Sequence, residues 1–139
     1  MISSKMILVV DDDIDYQRIL QCILEASGYR VRCASGMEEA LEQMRQDKPD
    51  MVITDLMMQS LDAGFSLSRR IKADARLADV PVIIVTAIGR RRGLDFSPQG
   101  SDELAAMGAD AYFDKPVEPE ALLGKVAELL QLGSREDSA

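Results

Sequence analysis

The stretch Met6–Asp13, MILVVDDD, decides the fold class of this chain. Five apolar residues run without alternation and stop abruptly at three aspartates. An unbroken apolar run of this length is typical of a strand buried on both faces, as in a parallel sheet. Asp12 or Asp13 is suited to cap a helix that follows the strand. The stretch therefore predicts a buried parallel strand with acidic side chains at its carboxyl end.

Four further units repeat this strand–helix pattern along the chain. The remaining predicted strands are Tyr29–Ala34, Met51–Thr54, Val82–Val85 and Ala111–Phe113. Two helices are predicted from apolar stripes at Ile19–Leu24 and Ala40–Met44. Three more are predicted at Ser66–Ala73, at Asp102–Met107 and from Pro119 onward. Gly28 predicts the end of the first helix, and Ser35 with Glu38 has the spacing of a capping box for the second. Because parallel crossovers are right-handed, five such units predict an α/β fold, a five-stranded doubly wound parallel sheet with helices on both faces.

The composition of the 139 residues excludes several classes of function. The chain contains no histidine, which excludes Ser-His-Asp and Cys-His nucleophile systems, His-ligated zinc and a phosphohistidine carrier. The formal net charge of -8 argues against direct nucleic acid binding, which needs clustered Lys and Arg. Because no apolar run approaches the roughly 20 residues of a membrane span, we expect a cytoplasmic protein with no membrane partner. Cys22 and Cys33 are then expected to be reduced thiols packed as small apolar side chains.

Polar residues follow or end the predicted strands at their carboxyl ends. Asp11–Asp13 follow the first strand, Asp55 the third, Thr86 ends the fourth and Lys115 follows the fifth. Ligands of open α/β sheets bind outside this edge, so we expect these side chains to share one cleft. Carboxylates about 5 Å apart repel by about 3 kcal/mol per pair at an effective dielectric of roughly 20, and Mg²⁺ would offset that repulsion. A metal beside a carboxylate, a hydroxyl and an ammonium is typical of phosphoryl transfer, in which one aspartate would attack phosphorus.

Four segments carry a resemblance to a known family, and each lies at a predicted strand end. They are Ile7–Asp12, Asp55–Met58, Val85–Ala87 and Gly108–Pro116. With these segments in this order, the chain from Lys5 to Leu132 resembles the receiver domain of two-component response regulators, including the chemotaxis regulators. The resemblance implies a flavodoxin-like (β/α)5 three-layer sandwich, with a receiver domain over residues 1–133 and a polar tail over 134–139. The chain is then either a single-domain regulator or a receiver cut from a longer protein.

The resemblance implies a metal site and a phosphoacceptor. Asp55 matches the phosphoacceptor. Asp11 and Asp12 match the acidic pair that holds Mg²⁺ together with Asp55, with Asp12 as the direct ligand and Asp11 acting mainly through water. The backbone carbonyl of Met57 matches the position that completes the metal site, and Mn²⁺ is an alternative ion. Asp13 has no fixed role in the pattern and is interpreted as a cap or a supporting acid.

The resemblance also implies a switch. Thr86 matches the hydroxyl that moves toward the phosphoryl group, and Lys115 matches the lysine that pairs with that group. Tyr112 matches the aromatic residue that turns inward on activation. The Lys115–Pro116 peptide bond is expected to be cis, as in the family, because X-Pro bonds are the common place for a cis peptide.

Two loops depart from the commonest form of the family. Gln59 stands where the family usually has proline, and Asp62–Gly64 carries one extra residue, so the loop after Asp55 is longer and less rigid. The segment between the fourth and fifth strands is also several residues longer than usual, and its surplus contains Arg90, Arg91 and Arg92. This surplus is either a solvated extension or a contact for an acidic partner patch.

These features predict a phosphorylation-operated switch, not an enzyme that acts on an outside substrate. Its own phosphorylation and dephosphorylation would be autocatalytic. The resemblance implies a phosphohistidine donor, and since the chain lacks histidine, we expect that donor to be a histidine kinase or phosphotransfer protein. A downstream protein, or a second copy in a self-dimer, would bind the face of the fourth and fifth units. Two alternatives stay open: a haloacid-dehalogenase-like metal-dependent phosphohydrolase using Asp11, based on its spacing to Asp13, and a degenerate receiver that acts only as a binding module.

Overall fold

The computed structural model describes residues 5–55, 63–86 and 109–138. Within these ranges the chain forms five strands and four helices. In chain order they are β1 (Met6–Val10), α1 (Ile14–Ala26), β2 (Arg30–Ala34), α2 (Met37–Gln46), β3 (Met51–Thr54), α3 (Ala63–Ala73), β4 (Val82–Thr86), β5 (Ala111–Asp114) and α4 (Pro119–Ser138). The helix predicted at Asp102–Met107 lies outside the described residues.

The strands form one parallel sheet in the order β2-β1-β3-β4-β5. β1 has a partner on each side, so that Ile7 aligns with Val31 of β2 and with Met51 of β3. The chain adds β2 on one side of β1 and then reverses to add the remaining strands on the other. This order confirms the predicted doubly wound sheet. It also opens a crevice where β1 and β3 meet, which is where ligands bind in such folds.

Apolar layers cover both faces of the sheet, because successive residues of a strand point to opposite faces. On one face, Val9 and its neighbours pack with residues of α1 and α4. On the other face, Leu8 and its neighbours pack with residues of α2 and α3. The helices therefore form two outer layers, and the predicted three-layer sandwich is confirmed.

The apolar stripe of α1 differs from the predicted one. Its buried side includes Tyr16, Leu20 and Leu24, which recur every four residues. Ile19 was predicted to face the core but is 48% exposed. It lies about 100° around the helix from Leu20, which turns it away from the sheet.

One predicted helix end is confirmed and another is wrong. Gly28 ends α1 with a φ of 97°, a conformation that favours glycine. The capping box predicted from Ser35 and Glu38 does not form, because α2 begins one residue later, with Gly36 as its cap. The carboxylate that reaches back is therefore that of Glu39, which accepts a hydrogen bond from the backbone N–H of Ser35 at 3.0 Å.

The last helix is longer than the sequence predicts. α4 continues through Gly133 to Ser138, so residues 134–138 of the expected polar tail belong to the helix. A single glycine costs a helix only about 1 kcal/mol and does not by itself end it. None of the helices in the described ranges is long and apolar enough to cross a bilayer.

The two cysteines are free thiols, as predicted, but only one is packed. Cys33 is half-buried against the core on the α1 side of the sheet. Cys22 is exposed, so its predicted packing is wrong. It follows Gln21 on the part of α1 that faces away from the stripe of Leu20 and Leu24.

Candidate functional site

Two predicted site aspartates lie side by side at the carboxyl edge of the sheet. Asp11 directly follows β1, and Asp55 directly follows the adjacent β3. The backbone N–H of Asp55 donates to the carbonyl of Val10 at 3.0 Å, which holds the two strand ends together. Asp11 is 2% exposed and Asp55 is 7% exposed. Burying two carboxylates this deeply is costly unless charge or hydrogen bonds compensate them.

Lys115, which follows the edge strand β5, compensates the charge of these carboxylates. Its ammonium donates to Asp11 Oδ2 at 2.8 Å and to Asp55 Oδ2 at 3.0 Å. The side chain is 13% exposed. The Lys115–Pro116 peptide bond is cis, as predicted. The structure therefore brings Asp11, Asp55 and Lys115 into one contact cluster at the edge where the sequence places them.

The helix that follows β1 begins inside this cluster. The backbone N–H of Asp13 donates to Asp11 Oδ1 at 2.9 Å. Asp13 is the N-cap of α1, and its carboxylate accepts from the backbone N–H groups of Asp15 and Tyr16. The capping role predicted for Asp12 or Asp13 thus belongs to Asp13, and the carboxylate of Asp12 is exposed.

The predicted switch residues lie on β4 and β5. Thr86 ends β4 and pairs in register with Asp114 of β5. Tyr112 is half-buried, and its hydroxyl donates to Asp114 Oδ1 at 3.2 Å. Met57 lies outside the described residues, as do the three loop arginines at positions 90–92.

The pKa values of Asp11 and Lys115 are both raised, for different physical reasons. Burial raises the pKa of Asp11 above its ordinary 3.8, and hydrogen bonds from Lys115 and the Asp13 backbone offset only part of the increase. Burial acts to lower the pKa of Lys115, but its hydrogen bonds to Asp11 and Asp55 outweigh burial, and the pKa lies above 10.5. The ammonium is therefore charged at neutral pH, while burial makes ionisation of Asp11 less favourable than it is in water.

The donor set fits the chemistry of Mg²⁺. Within the described ranges, no three acidic, cysteine or histidine side chains lie close enough together to hold a metal ion by themselves. Mg²⁺ does not need such a cage, because it is usually held by one or two carboxylates and keeps several waters. Asp12 and Asp55 are oxygen donors of that kind at the edge of the crevice, and Asp12 is open to solvent.

Two residues of this site escaped the sequence analysis, and both lie in the first turn of α1. The side-chain amide of Gln17 is buried and donates to the backbone carbonyls of Asp11 and Ala34. The ring of Tyr16 lies 4.4 Å from the Lys115 ammonium. The sequence could have indicated them by spacing, since Tyr16 lies four residues and Gln17 three residues before Leu20. These positions share the helix face of Leu20, which is predicted to be buried. A buried amide or phenol needs a polar partner, and here those partners belong to the site.

The raised pKa of Asp11 predicts how stability depends on pH. The folded state holds the Asp11 proton more tightly than the unfolded state, so its contribution to stability falls as pH rises from 3.8 through the raised pKa. Asp11→Asn cannot ionise and escapes that loss. We expect the stability of the variant relative to wild type to increase between pH 3 and neutral pH, measured by urea unfolding without divalent cations. A difference that stays constant or decreases over this window would contradict the prediction.

The chain matches a known family over most of its length. A family model for the response regulator receiver domain matches residues 7–127. The chain is 36% identical over 134 residues to a probable transcriptional regulator, ycf27, of Cyanophora paradoxa, covering 94% of this chain and 50% of that protein. It is 35% identical over 129 residues to the DNA-binding dual master transcriptional regulator RpaA of Synechocystis sp., covering 93% and 50%. The chain therefore spans about half the length of these curated relatives.

Solved structures agree with the family match. A response regulator receiver domain protein (CheY-like) from Methanospirillum hungatei JF-1 superposes with a TM-score of 0.80 at 29% identity. The superposition covers 96% of this chain and 99% of that one. Asp11, Asp55 and Lys115 all lie within the residues that the family model matches. The chain thus belongs to the response regulator receiver domain family of two-component signalling.

Proposed function

We propose that this chain is a switch operated by phosphorylation of Asp55, with a phosphohistidine of a kinase or phosphotransfer protein as the donor. One observation carries the proposal: the Lys115 ammonium contacts both Asp55 and Asp11 at hydrogen-bond distance. A phosphoryl group on Asp55 would bring oxygens within reach of the same ammonium. Receiver domains are in general non-enzymatic signalling switches, and we extend that role to this chain.

The chemical step is a single transfer. A carboxylate oxygen of Asp55 forms a bond to phosphorus, and the bond from phosphorus to the donor imidazole nitrogen breaks, leaving its electron pair on that nitrogen. Lys115 exchanges its hydrogen bond with Asp55 for one with a phosphoryl oxygen and keeps its bond to Asp11. Mg²⁺, where bound by Asp12, Asp55 and the carbonyl of Met57 with Asp11 nearby, supplies further charge neutralisation. In dephosphorylation a water oxygen bonds to the same phosphorus, the bond from phosphorus to Asp55 breaks, and inorganic phosphate leaves as the carboxylate is regenerated. Both reactions therefore take place on the chain itself.

The conformational change would take place on the side of β4 and β5. Thr86 would turn its hydroxyl toward the phosphoryl group, and Tyr112 would turn inward together with that movement of Thr86. The register of Thr86 with Asp114, and the hydrogen bond from Tyr112 to Asp114, support a linkage between the two strands. A downstream protein, or a second copy of the chain, would bind this face in one of the two conformers.

We propose protein partners and not nucleic acid for this chain. Its formal charge of -8 disfavours contact with phosphate backbones. The relative named as DNA-binding is about twice as long as the aligned chain, so its name does not transfer to these residues. The phosphoryl donor is a separate protein or domain, because this chain has no histidine.

The hydrolase alternative requires Asp11 to be the nucleophile. Both oxygens of Asp11 are engaged, one by Lys115 and one by the Asp13 backbone. The carboxylate of Asp13, the second acid of the spacing on which that alternative is based, caps α1. These contacts favour Asp55 as the acceptor.

Mapping the acyl phosphate tests the proposal. The protein is incubated with Mg²⁺ and a small phosphodonor, reduced with borohydride to mark the acyl phosphate, digested and analysed by mass spectrometry. We expect the label on Asp55. Label on Asp11 would support the hydrolase, and no label under conditions that phosphorylate a known receiver would support a degenerate receiver. Sizing of the same samples tests whether phosphorylation is linked to dimerisation.

The arginine loop gives a separate prediction about partners. Replacing Arg90, Arg91 and Arg92 together with alanine is expected to weaken partner binding, because an acidic patch on the partner would lose three complementary positive charges. Phosphorylation of Asp55 is expected to be unchanged. Binding of the phosphorylated chain to its downstream protein measures the first effect, and acyl phosphate formation the second. An equal loss of both would argue that the loop supports the site instead of a partner.

A further inference from the structure

Tyr16 connects α1 to the loop that carries Lys115. Its ring lies against the Lys115 ammonium, with 4.4 Å between Nζ and the ring centroid. Its hydroxyl accepts a hydrogen bond from the backbone N–H of Val117 at 3.0 Å. Tyr16 is 9% exposed and Val117 is also buried, so both contacts are shielded from solvent. One side chain thus holds the loop at Lys115 and again two residues later.

These contacts close a ring with Asp11, which follows β1, and Asp13, which caps α1. Asp11 accepts from the backbone N–H of Asp13, and Asp13 accepts from the backbone N–H of Tyr16. Tyr16 lies against Lys115, and Lys115 donates back to Asp11. Movement of the ammonium is therefore opposed by three elements together: the end of β1, the start of α1 and the loop after β5.

We propose that Tyr16 is a positioning residue that keeps the Lys115 ammonium aimed at the acceptor during phosphoryl transfer, an inference that rests on the proposed function of Asp55. An aromatic face attracts an ammonium electrostatically without taking one of its N–H groups. Lys115 can therefore exchange its hydrogen bond with Asp55 for one with a phosphoryl oxygen while the ring and Asp11 hold it in place. A carboxylate at position 16 would instead compete for the same N–H groups.

The competing interpretation is that Tyr16 only fills the core beneath α1. Tyr16 does belong to the apolar cluster on that face of the sheet, together with Leu24 of the same helix. A filling role predicts that activity follows stability, whichever buried residue of α1 is changed. A positioning role predicts that the ring face matters even when stability is matched.

The test compares Tyr16→Phe, which keeps the ring, with Tyr16→Leu, which removes it. Leu24→Ala is the matched control, because it opens the same core at a distance from Lys115. We expect Tyr16→Leu to lower the maximal phosphorylation rate by a small phosphodonor about 3- to 30-fold, the range of a buried cation–π contact, with little change in half-saturating Mg²⁺. Tyr16→Phe is expected to stay within about 3-fold of wild type. Leu24→Ala is expected to lose stability but to keep the rate measured at a temperature where it remains folded.

A spectroscopic measurement is independent of phosphorylation. The side-chain protons of Lys115 next to the ammonium are expected to be shifted upfield by the ring in wild type and Tyr16→Phe, and not in Tyr16→Leu. A wild-type spectrum without this shift would overturn the proposal, even if Tyr16→Leu does not fold. A Tyr16→Leu rate equal to that of wild type, or a Leu24→Ala rate as low as that of Tyr16→Leu, would also overturn it. If wild type takes no phosphoryl group, the proposed function fails, and the shift alone then decides whether Tyr16 holds Lys115.

Discussion

Asp55→Asn is expected to abolish phosphorylation of this chain. The amide has nearly the same shape as the carboxylate, but its oxygen is a poor nucleophile and cannot form a stable acyl phosphate. Loss of a nucleophile costs far more than loss of a positioning contact, so we expect the initial rate to fall by more than about a thousandfold. Intact mass spectrometry after incubation with Mg²⁺ and a small phosphodonor measures the mass of one added phosphoryl group. The same samples, applied to a sizing column, report any phosphorylation-linked change in oligomeric state.

Asp74→Asn is the control for this experiment. Asp74 is exposed after α3, where its carboxylate accepts from the backbone N–H of Arg76 at 2.9 Å, a contact that asparagine can also make. Phosphorylation of Asp74→Asn is expected to match that of wild type. Retention of the added mass by a folded Asp55→Asn protein would exclude Asp55 as the acceptor and return attention to Asp11.

The position of the site could be predicted because polar residues interrupt apolar strands at one end. Asp11 and Asp55 each follow a buried strand and Lys115 follows the edge strand β5, and a parallel sheet must bring the carboxyl ends of its strands to one edge. That rule predicts a shared cleft, and the contacts of the Lys115 ammonium with both aspartates are added by the structure. The sheet topology therefore determines which charged side chains meet at this edge, and the topology follows from five apolar runs in series.

The contribution of α1 could not be predicted in the same way. A periodic pattern shows that one side of the helix is buried. It does not fix the rotation of the helix about its own axis closely enough to say which residues at the border of that side are buried. The actual rotation buries Tyr16 and Gln17 against the site and exposes Ile19 and Cys22. It is fixed by packing against the sheet, which is a tertiary effect, and by the local cap, which the sequence predicts only as Asp12 or Asp13 and the structure assigns to Asp13. The same limit explains the shifted start of α2, where Gly36 takes the place predicted for Ser35.

Lys115→Met is expected to destabilise the protein by about 3 kcal/mol in the absence of divalent cations. Methionine keeps the length of the side chain but removes the charge that contacts two buried carboxylates. Breaking a buried ion pair from one side costs about 3–5 kcal/mol, and we expect the lower end because the crevice opens to solvent. The raised pKa of Lys115 means that its charged form stabilises the folded state, so the loss should persist at neutral pH. The difference from wild type should disappear only as pH rises above 10.5 through the raised pKa.

The response to Mg²⁺ distinguishes loss of the Lys115 charge from loss of side-chain packing as the cause of the destabilisation. A divalent cation near Asp55 would restore positive charge to the cluster, so Mg²⁺ should stabilise Lys115→Met more than it stabilises wild type in urea unfolding. Lys125→Met is the control, because Lys125 pairs with Glu128 on the exposed side of α4 and should cost less than about 1 kcal/mol with no added response to Mg²⁺. If Lys115→Met is as stable as Lys125→Met without Mg²⁺, the ammonium does not compensate the buried acids, and the charge balance proposed for this site is wrong. If it is destabilised but Mg²⁺ does not restore it, the cation does not bind where Lys115 leaves the carboxylates uncompensated, and the metal must be sought away from Asp11 and Asp55.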